Sequence, residues 1–441
     1  MTGEEIKKNQ TSYVLQSWSK QAGLNPIPVE KAEGIYLWDT EGVRYSDMSA
    51  QLVNLNVGFG NKEIGDAIKE QVDKYCYISP SFASEARGTL AKKIIELLPD
   101  NMGKVFFTNG GADANENAVK IARMFTGKFK IFSRYRSYHG STFGAGNLTG
   151  EPRRYALEPG APGFVKFFDP YIYREGITFE SEEAATKYYL SKLREQTQYE
   201  GAANTAAIVM ETITGSNGII IPPKGYLPGV RELCDEFGIL LICDEVMAGW
   251  SRTGKTFGFE NFDVKPDIVT FAKGVTCGYV PIGGCAVSKE IAAYFDENLL
   301  SCGLTYSGHP LACAAGVACI DYYEKVNMNA HVQEVGAELG KILEELKSKH
   351  ASVGDARYIG LFSAIELVKD KATKEALVPY GKDAEGIMKK VLGWLKEKKF
   401  LTYTHENMII VAPPLIITKE QIGEEMLKVD EVLTMIDEQL L

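Results

Sequence analysis

The stretch DIVTFAKGVTCGYVPIGGCAVS, residues 267–288, contains the features that decide the fold. Its β-prone run DIVTFAK ends on Lys273, glycines and small residues follow, and a second β-prone run, GGCAVS (283–288), closes the stretch. Lysine is almost never fully buried without a partner. Lys273 is therefore either a loop residue with its amine in water or an amine kept out of water for its reactivity. The segments around it distinguish these interpretations.

Short β-prone runs alternate with amphipathic helices upstream of this stretch. The predicted strands are KVFFT (104–108), KIFSRYR (130–136), AAIVME (206–211) and ILLICDE (239–245). The predicted helices between them include ADANENAVKIARMFTG (112–127) and GVRELCDEFG (229–238). Continuous apolar strands separated by helices indicate a mostly parallel sheet covered on both faces. The sequence therefore predicts an α/β fold.

The pattern changes beyond Pro310, where long helical segments precede β-prone runs such as NMIIVAPPLIIT. Near the other end, YLWDTEGVRYSDMS (36–49) predicts a hairpin. We predict a large domain over residues 56–309 and a smaller α+β domain over 310–441. The N-terminal segment 1–55 is predicted to pack on the smaller domain, which both chain ends would then form.

Composition limits the class of partner. The net charge of −10 argues against nucleic acid, which calls for a basic face. The N-terminus is polar, and no apolar run approaches the roughly 20 residues that span a bilayer. The eight cysteines form no CxxC pair and lie at no metal-ligand spacing from a histidine. They are typical of small buried thiols in a protein of a reducing compartment. We expect a cytoplasmic protein that acts on small molecules, without a metal or membrane partner.

The predicted strand ends carry candidate binding residues, because ligands of open α/β sheets lie at the carboxyl ends of strands. Asn109, Gly110, Gly111 and Ala112 follow KVFFT and open a helix. They form either a phosphate cradle of backbone N–H groups or a tight turn that needs glycine for steric reasons. Tyr138 lies just after KIFSRYR. It is either an aromatic that stacks on a planar ring or an ordinary core residue.

Asp244 and Glu245 end the apolar run ILLIC. An acid there is either satisfied by backbone donors or held to bind a cation deep in the sheet. A phosphate cradle, an aromatic, an acid and an isolated amine at one sheet edge suit a phosphorylated heterocycle with a basic ring nitrogen and an aldehyde. Pyridoxal 5′-phosphate (PLP) is that molecule: Lys273 would bond to its aldehyde, and Asp244 would keep its ring nitrogen protonated.

The segments LLICDEVMAGWSRTGKTFGFE and KPDIVTFAKGVTCGYVPIGG resemble the cofactor-lysine signature of class III (ω-amino acid) aminotransferases of PLP fold type I. Further segments resemble the family in the same order along the chain: TNGGADANENAVKIAR, SYHGSTFGA, METITGSNGIIIPPKGYL, LTYSGHPLACAA and APPLIIT. The resemblance covers nearly the whole chain and implies a PLP-dependent transaminase.

The resemblance also implies roles for individual residues around the cofactor ring. Lys273 is the lysine that binds the cofactor, and Asp244 is the partner of the ring nitrogen. Val246 and Tyr138 sandwich the ring. Glu211 lies near the O3′ side of the ring and the substrate entrance.

At the phosphate end, the resemblance implies that Gly111 and Ala112 donate backbone N–H groups, with Gly110 and His139 also among the cofactor-binding residues. Thr305 would reach the phosphate of the other subunit, which implies a homodimer with shared active sites. Ala112 departs from the family, because many relatives carry serine or threonine there. One side-chain contact to the phosphate is therefore lost.

A second departure concerns the substrate. Many relatives carry an arginine upstream of APPL that binds a substrate carboxylate, but LTYTHENMIIVAPPL (401–415) has none, and no arginine follows Arg357. The substrate anion must be held elsewhere. Our candidates are Arg153, with Arg154 as the alternative arginine, and Trp18. Surface charge is the competing interpretation for the arginines, and domain packing for the tryptophan.

The segments WSKQAGLNP and TGEPRR resemble the taurine branch of the family. They predict transfer of the amino group of taurine to 2-oxoglutarate, which gives sulfoacetaldehyde and glutamate. Transfer from an ω-amino acid to pyruvate is an alternative, as is another reaction on the same fold, such as an aminomutase, racemase or decarboxylase. A nucleotide-binding oxidoreductase or a non-catalytic binding protein is the alternative from another class.

Overall fold

A seven-stranded sheet forms the centre of the protein, whose computed structural model describes residues 1–381, 383 and 386–441. Its strands are, in spatial order, Met102–Thr108, Gly283–Ser288, Ile268–Phe271, Leu240–Asp244, Thr205–Glu211, Lys130–Arg134 and Phe164–Phe167. Gly283–Ser288 runs antiparallel to both neighbours, whereas the pairs from Ile268–Phe271 to Phe164–Phe167 are parallel. The predicted α/β fold with a mostly parallel sheet is confirmed.

Helices surround this sheet. They are Lys62–Lys74, Glu85–Leu97, Gly111–Thr126, Phe143–Leu148, Glu182–Glu200, Tyr226–Phe237, Lys289–Glu297 and Pro310–Lys325. Short 3₁₀ turns are Pro152–Leu157, Ile172–Arg174, Ala202–Asn204, Gly258–Phe262 and Lys273–Val275. Every residue of strand Thr205–Glu211 is buried, as expected for a strand that is covered on both faces. The site described below lies where these parallel strands end.

The C-terminal part of the chain forms a second sheet. Its strands are Val353–Ile359, Phe362–Asp370, Met408–Val411 and Thr404–His405, and Glu375–Ala376 pairs with the second of them. Helices Met328–Lys349, Ile387–Glu397 and Lys419–Gln439 accompany this sheet. All of its strand pairs are antiparallel, which agrees with the predicted α+β character of this part.

A third sheet joins the two ends of the chain. It contains Val29–Glu33, Tyr36–Asp39 and Arg44–Asp47, to which Phe400–Leu401 adds a parallel strand. The predicted hairpin is confirmed, because Tyr36–Asp39 and Arg44–Asp47 pair antiparallel. Ahead of this sheet, helix Gly3–Tyr13 buries none of its residues, and Ala50–Val53 after it forms a left-handed turn with positive φ at all four residues.

The fully buried Arg252 connects three distant segments. Its guanidinium donates hydrogen bonds to the carbonyls of Leu361 (2.8 Å) and Pro413 (2.6 Å) and to Oδ1 of Asn56 (2.8 Å). Burial lowers the pKa of Arg252 to about 10, so it remains charged at neutral pH. Because buried charges are costly unless they are satisfied, these bonds fix the C-terminal strands against the central sheet.

Helix Pro310–Lys325 packs against helices Lys62–Lys74 and Glu85–Leu97 of the central region. The domain boundaries at residues 55 and 309 stay predictions. Within the described residues, no helix combines the length and apolarity required to cross a bilayer.

Candidate active site

Lys273 lies directly beyond strand Ile268–Phe271, where the chain turns into Lys273–Val275. Its φ is +46°, a left-handed backbone conformation that is uncommon for residues other than glycine. Burial lowers the pKa of Lys273 to about 8, and the carboxylates of Asp244 and Glu211 only partly oppose this effect. Lys273 is half-buried, so of the two interpretations of this lysine the structure supports an amine that is partly withdrawn from water rather than a loop residue with its amine in solvent.

Asp244 ends strand Leu240–Asp244 and is buried. Its Oδ2 accepts a hydrogen bond from Nδ2 of Asn115 at 2.8 Å and lies 2.7 Å from Nδ1 of His139. Its Oδ1 accepts the backbone N–H of Val246 at 3.0 Å. With these three partners the carboxylate has one fixed orientation.

Glu245 points away from this group. Its carboxylate accepts hydrogen bonds from the hydroxyl of Thr212 (2.7 Å) and the backbone N–H groups of Gly258 (2.6 Å) and Phe259 (3.0 Å). Burial raises its pKa to about 7. Glu245 is thus an acid satisfied mainly by backbone donors, whereas Oδ2 of Asp244 is held by the side chains of Asn115 and His139.

The predicted phosphate cradle follows strand Met102–Thr108, at the N-terminus of helix Gly111–Thr126. A Cβ atom on Gly111 would lie 3.0 Å from both γ-methyl groups of Val246, which is closer than side chains normally approach. Glycine at 111 therefore lets Val246 lie against the start of this helix. Gly110 and Ala112 flank it, so three successive residues present their backbone at a helix N-terminus.

Tyr138 and His139 lie next to Glu211. The backbone N–H of Tyr138 donates to Oε1 of Glu211 at 3.1 Å, and the N–H of Gly215 donates to Oε2 at 2.7 Å. Burial raises the pKa of Glu211. Nε2 of His139 is buried and has no hydrogen-bond partner among the described residues.

Arg153 and Trp18 lie beside Tyr138. The Arg153 guanidinium is 3.8 Å from the centre of the Tyr138 ring and 5.5 Å from that of Trp18. The two rings meet edge to face, with their centres 6.4 Å apart. The structure thus brings together both substrate-binding candidates, although Trp18 remains 63% exposed.

Arg154 points elsewhere. Its Nε lies 3.2 Å from a carboxylate oxygen of Glu158, and its guanidinium lies over the ring of Tyr155. Thr305 is exposed, and its carbonyl accepts a hydrogen bond from the Tyr77 hydroxyl at 2.8 Å. Its predicted contact with another subunit stays a prediction.

The family model described as "Aminotransferase class-III" matches residues 18–433. The chain is a class III aminotransferase. The taurine:2-oxoglutarate aminotransferase of Bifidobacterium kashiwanohense, solved with PLP and glutamate, is 53% identical, with a TM-score of 0.98 and coverage of 100% of this chain and 99% of that one.

Two further relatives are more distant. The taurine–pyruvate aminotransferase of Bilophila wadsworthia is 34% identical, and the match covers 97% of this chain and 96% of that protein. An (S)-enantioselective ω-transaminase of Thermomicrobium roseum is also 34% identical, with a TM-score of 0.92 and 99% coverage of both chains.

This class III aminotransferase is a PLP-dependent transaminase, and not an oxidoreductase or a non-catalytic binding protein. Its residues fit the cofactor. A carboxylate held by three donors suits a protonated ring nitrogen, and a lysine with a lowered pKa suits an aldehyde. The helix N-terminus suits a phosphate, because nothing lies within 4 Å of a Cβ on Gly110, the residue that precedes the helix.

Asn115 was missed by sequence reasoning. Besides Asp244, its Nδ2 donates to the carbonyl of His139 at 2.9 Å, and its Oδ1 accepts the hydroxyl of Thr270 at 2.7 Å. It therefore links the helix, two strands and the His139 loop. An asparagine in the first turns of the helix after the cradle was the available signal, but asparagine is also common there as a surface residue.

Proposed function

We propose that this aminotransferase transfers the amino group of taurine, or of a similar short ω-amino acid, to 2-oxoglutarate. The products are sulfoacetaldehyde and glutamate. The observation that carries the proposal is the position of Arg153, whose guanidinium lies 3.8 Å from the centre of the Tyr138 ring. The Bifidobacterium neighbour, named for the same reaction, is consistent with it.

We assign the cofactor contacts as follows: Lys273 to the aldehyde, Asp244 to the ring nitrogen, and Val246 and Tyr138 to the two faces of the ring. Gly110, Gly111 and Ala112 hold the phosphate, and His139 positions Asp244. Glu211 lies near the O3′ side. When bound, PLP supplies the carbon that carries the amino group and a ring that withdraws electrons from the reacting centre.

The chain's own residues then move and hold protons. The lowered pKa of Lys273 leaves a useful fraction of its Nζ unprotonated at neutral pH, so it can accept a proton from the substrate carbon. Asp244 keeps its negative charge directed at the ring nitrogen because His139, Asn115 and Val246 fix its orientation.

Arg153 supplies the charge for the anionic end of the substrate. Its Nε pairs with Glu151 and one terminal nitrogen donates to the hydroxyl of Ser216 at 3.2 Å. A sulfonate has three acceptor oxygens in a tetrahedral array, unlike the planar carboxylate that fits a bidentate arginine. One arginine and the indole N–H of Trp18, approaching from different segments, suit such an anion.

The same anion pocket favours 2-oxoglutarate over pyruvate as the acceptor. 2-Oxoglutarate carries a second carboxylate at a distance comparable to that of the sulfonate in taurine. Pyruvate has no second anion to accept a hydrogen bond from Nη1 of Arg153, and a hydrogen bond to a charged group contributes roughly 1.5–3 kcal/mol. The name of the Bilophila relative makes pyruvate the competing acceptor.

We also infer a homodimer with shared active sites. The surface around Thr305 exposes several large apolar side chains, namely Tyr77, Phe82, Leu299 and Tyr306. The rings of Tyr77 and Tyr306 meet edge to face, with their centres 5.8 Å apart. A concentration of exposed aromatic residues around a predicted phosphate ligand is what a second subunit would cover.

Steady-state kinetics test the reaction. Taurine, β-alanine and 4-aminobutyrate would be compared as donors with both 2-oxoglutarate and pyruvate as acceptors. We expect the highest kcat/KM for taurine with 2-oxoglutarate. If taurine gave no sulfoacetaldehyde, the proposed donor would be wrong, and a higher kcat/KM for pyruvate would contradict the proposed acceptor.

A further inference from the structure

Tyr403 carries a buried hydroxyl that has no hydrogen-bond partner among the described residues. The residue lies between strands Phe400–Leu401 and Thr404–His405, and its carbonyl accepts the N–H of Ile410 at 3.2 Å. Its ring packs on a buried cluster that includes Ile213 and Met247. A buried hydroxyl without a partner is costly, which points to a partner that is not part of the chain.

Tyr403 lies on the substrate side of the active site, because the buried cluster on which it packs includes Met247, beside Gly215 and Glu211. A Cβ on Gly215 would lie 3.0 Å from both Cε of Met247 and Oε2 of Glu211, and the next residue, Ser216, accepts a hydrogen bond from Arg153. After burial itself, which raises the pKa of Tyr403, the charges that act on its phenol are Arg252, Arg153 and Glu211. Burial, followed by the charges of Arg153 and Arg136, lowers the pKa of His405 in the next strand to about 4. His405 is therefore neutral at neutral pH, and Arg153 provides the charge.

Arg153 leaves part of its hydrogen-bonding capacity open. Its Nε and Nη2 atoms bind Glu151 and Ser216, whereas Nη1 has no partner among the described residues. An anion placed there would still have oxygen atoms to share with a neutral donor. A phenol donates one hydrogen bond without adding charge. A singly charged anion can therefore be held by one arginine and one phenol together.

We propose that Tyr403 determines substrate specificity by donating a hydrogen bond from its hydroxyl to the anionic end of the substrate beside Arg153. This rests on the proposed function, in which Arg153 receives that anion. The segment LTYTHENM, which lacks the arginine of many relatives, thus still contributes a ligand for the substrate anion, but as a neutral donor.

The test compares wild type and Tyr403→Phe, with Tyr199→Phe as a matched control because the Tyr199 side chain is 87% exposed. Ethanesulfonate has the anionic end of taurine but no amine, so its binding to the holoenzyme by calorimetry isolates the anion pocket. A hydrogen bond to a charged group corresponds to roughly a 10-fold to 100-fold change in Kd. We expect such a weakening in Tyr403→Phe and no change in Tyr199→Phe.

Kinetics provide the second readout. Tyr403→Phe should lower kcat/KM for the preferred donor by a similar factor, mainly through KM. It should leave n-propylamine, a donor without an anionic end, within about twofold of wild type. Tyr403→His keeps a ring with an N–H donor and should restore part of the loss. An equal fall for both donors would overturn the proposal, because the hydroxyl would then act at the cofactor.

The two proposals fail separately. If wild type used β-alanine but not taurine, the proposed donor would be wrong, and the Tyr403 comparison would proceed with β-alanine and propionate as the probe. An unchanged Kd for the anionic probe in Tyr403→Phe would overturn the assignment of Tyr403 whichever donor is used. Thermal unfolding of each variant confirms that the fold is intact.

Discussion

Nδ1 of His139 lies 2.7 Å from Oδ2 of Asp244, in the buried part of the active site. An ionised carboxylate can only accept, so Nδ1 carries the hydrogen atom and donates a hydrogen bond to Asp244. Asn115 donates to the same oxygen at 2.8 Å. The two donors fix the carboxylate in one orientation, and in the proposed assignment they position Asp244 toward the ring nitrogen.

Asp244→Asn should therefore retain PLP but lose most activity. The amide keeps the shape of the carboxylate without the charge that stabilises the protonated ring. Loss of one such electrostatic contact costs about 10²-fold to 10³-fold in rate, and we expect at least that. Single-turnover rates with taurine would be measured alongside cofactor content after denaturation.

Glu245→Gln is the matched control, because it makes the same carboxyl-to-amide replacement at the adjacent residue. Glu245 bonds to Thr212, Gly258 and Phe259 on the other side of the strand. We expect its substitution to lower the melting temperature and leave the rate of the surviving enzyme nearly unchanged. A near-normal rate in Asp244→Asn would mean that another residue faces the ring nitrogen.

The fold class and the positions of Lys273 and Asp244 were predictable because they depend on local pattern. Apolar runs marked the strands, and the residues directly after them necessarily lie at the same sheet edge. The antiparallel direction of Gly283–Ser288 was not predictable in this way, since hydrophobic pattern does not encode strand direction.

The remaining site residues depend on contacts between distant segments. Asn115 reaches Asp244, and Arg252 reaches Asn56, across gaps of 129 and 196 residues. Pattern alone also did not show which of Asp244 and Glu245 faces the site, because both follow the same apolar run. Tyr403 was part of a segment noted only for its missing arginine, and its hydroxyl became informative only when its burial was known.

The rate at which the cofactor-free protein captures PLP should depend on the ionisation of Lys273. Only the neutral amine attacks an aldehyde, and its share rises with pH. With a pKa of about 8, about one tenth of Lys273 is neutral at pH 7, whereas an ordinary lysine has about 1 part in 3,000. We expect the rate, followed by stopped-flow absorbance, to rise through about pH 8 and then level off.

Lys273→Ala serves as the control for this measurement. It should show no covalently bound cofactor after borohydride reduction and no detectable transamination, with the fold retained. A midpoint near pH 10 in wild type would contradict the desolvated amine. Persistence of a reducible linkage in Lys273→Ala would mean that another lysine holds the cofactor.

Gly111→Ala should weaken PLP binding. The added methyl group would lie 3.0 Å from both γ-methyl groups of Val246, so either Val246 or the start of helix Gly111–Thr126 must shift. Overpacking of this kind commonly costs about 1–3 kcal/mol. We expect the cost to fall on the PLP-bound state, in which the helix N-terminus is held in place, and this corresponds to roughly a 10-fold to 100-fold higher Kd for PLP. Gly65→Ala is the control, since nothing lies within 4 Å of a Cβ there. Equal PLP affinity in both variants would contradict the close approach of Gly111 and Val246.

Arg153→Ala should raise the KM for taurine, whereas Arg154→Ala should leave it close to the wild-type value. The two arginines are adjacent in sequence and carry the same charge, so they form a matched pair that differs only in direction. Arg153 lies over Tyr138 and next to Trp18, while Arg154 pairs with Glu158 and lies over Tyr155.

Removal of the charge that holds a substrate anion leaves that anion without its main partner, and we expect kcat/KM for taurine to fall roughly 100-fold or more. n-Propylamine, which has no anionic end, should be affected little by either substitution. The ratio of kcat/KM for taurine to kcat/KM for n-propylamine therefore separates loss of anion binding from damage to the cofactor site.

Trp18→Phe should lower kcat/KM for taurine by a smaller factor, because an indole N–H adds a hydrogen bond but no charge. If Arg154→Ala and not Arg153→Ala changed the taurine KM, the anion would bind on the opposite side of Pro152–Leu157, and the assignment of Arg153 would be wrong.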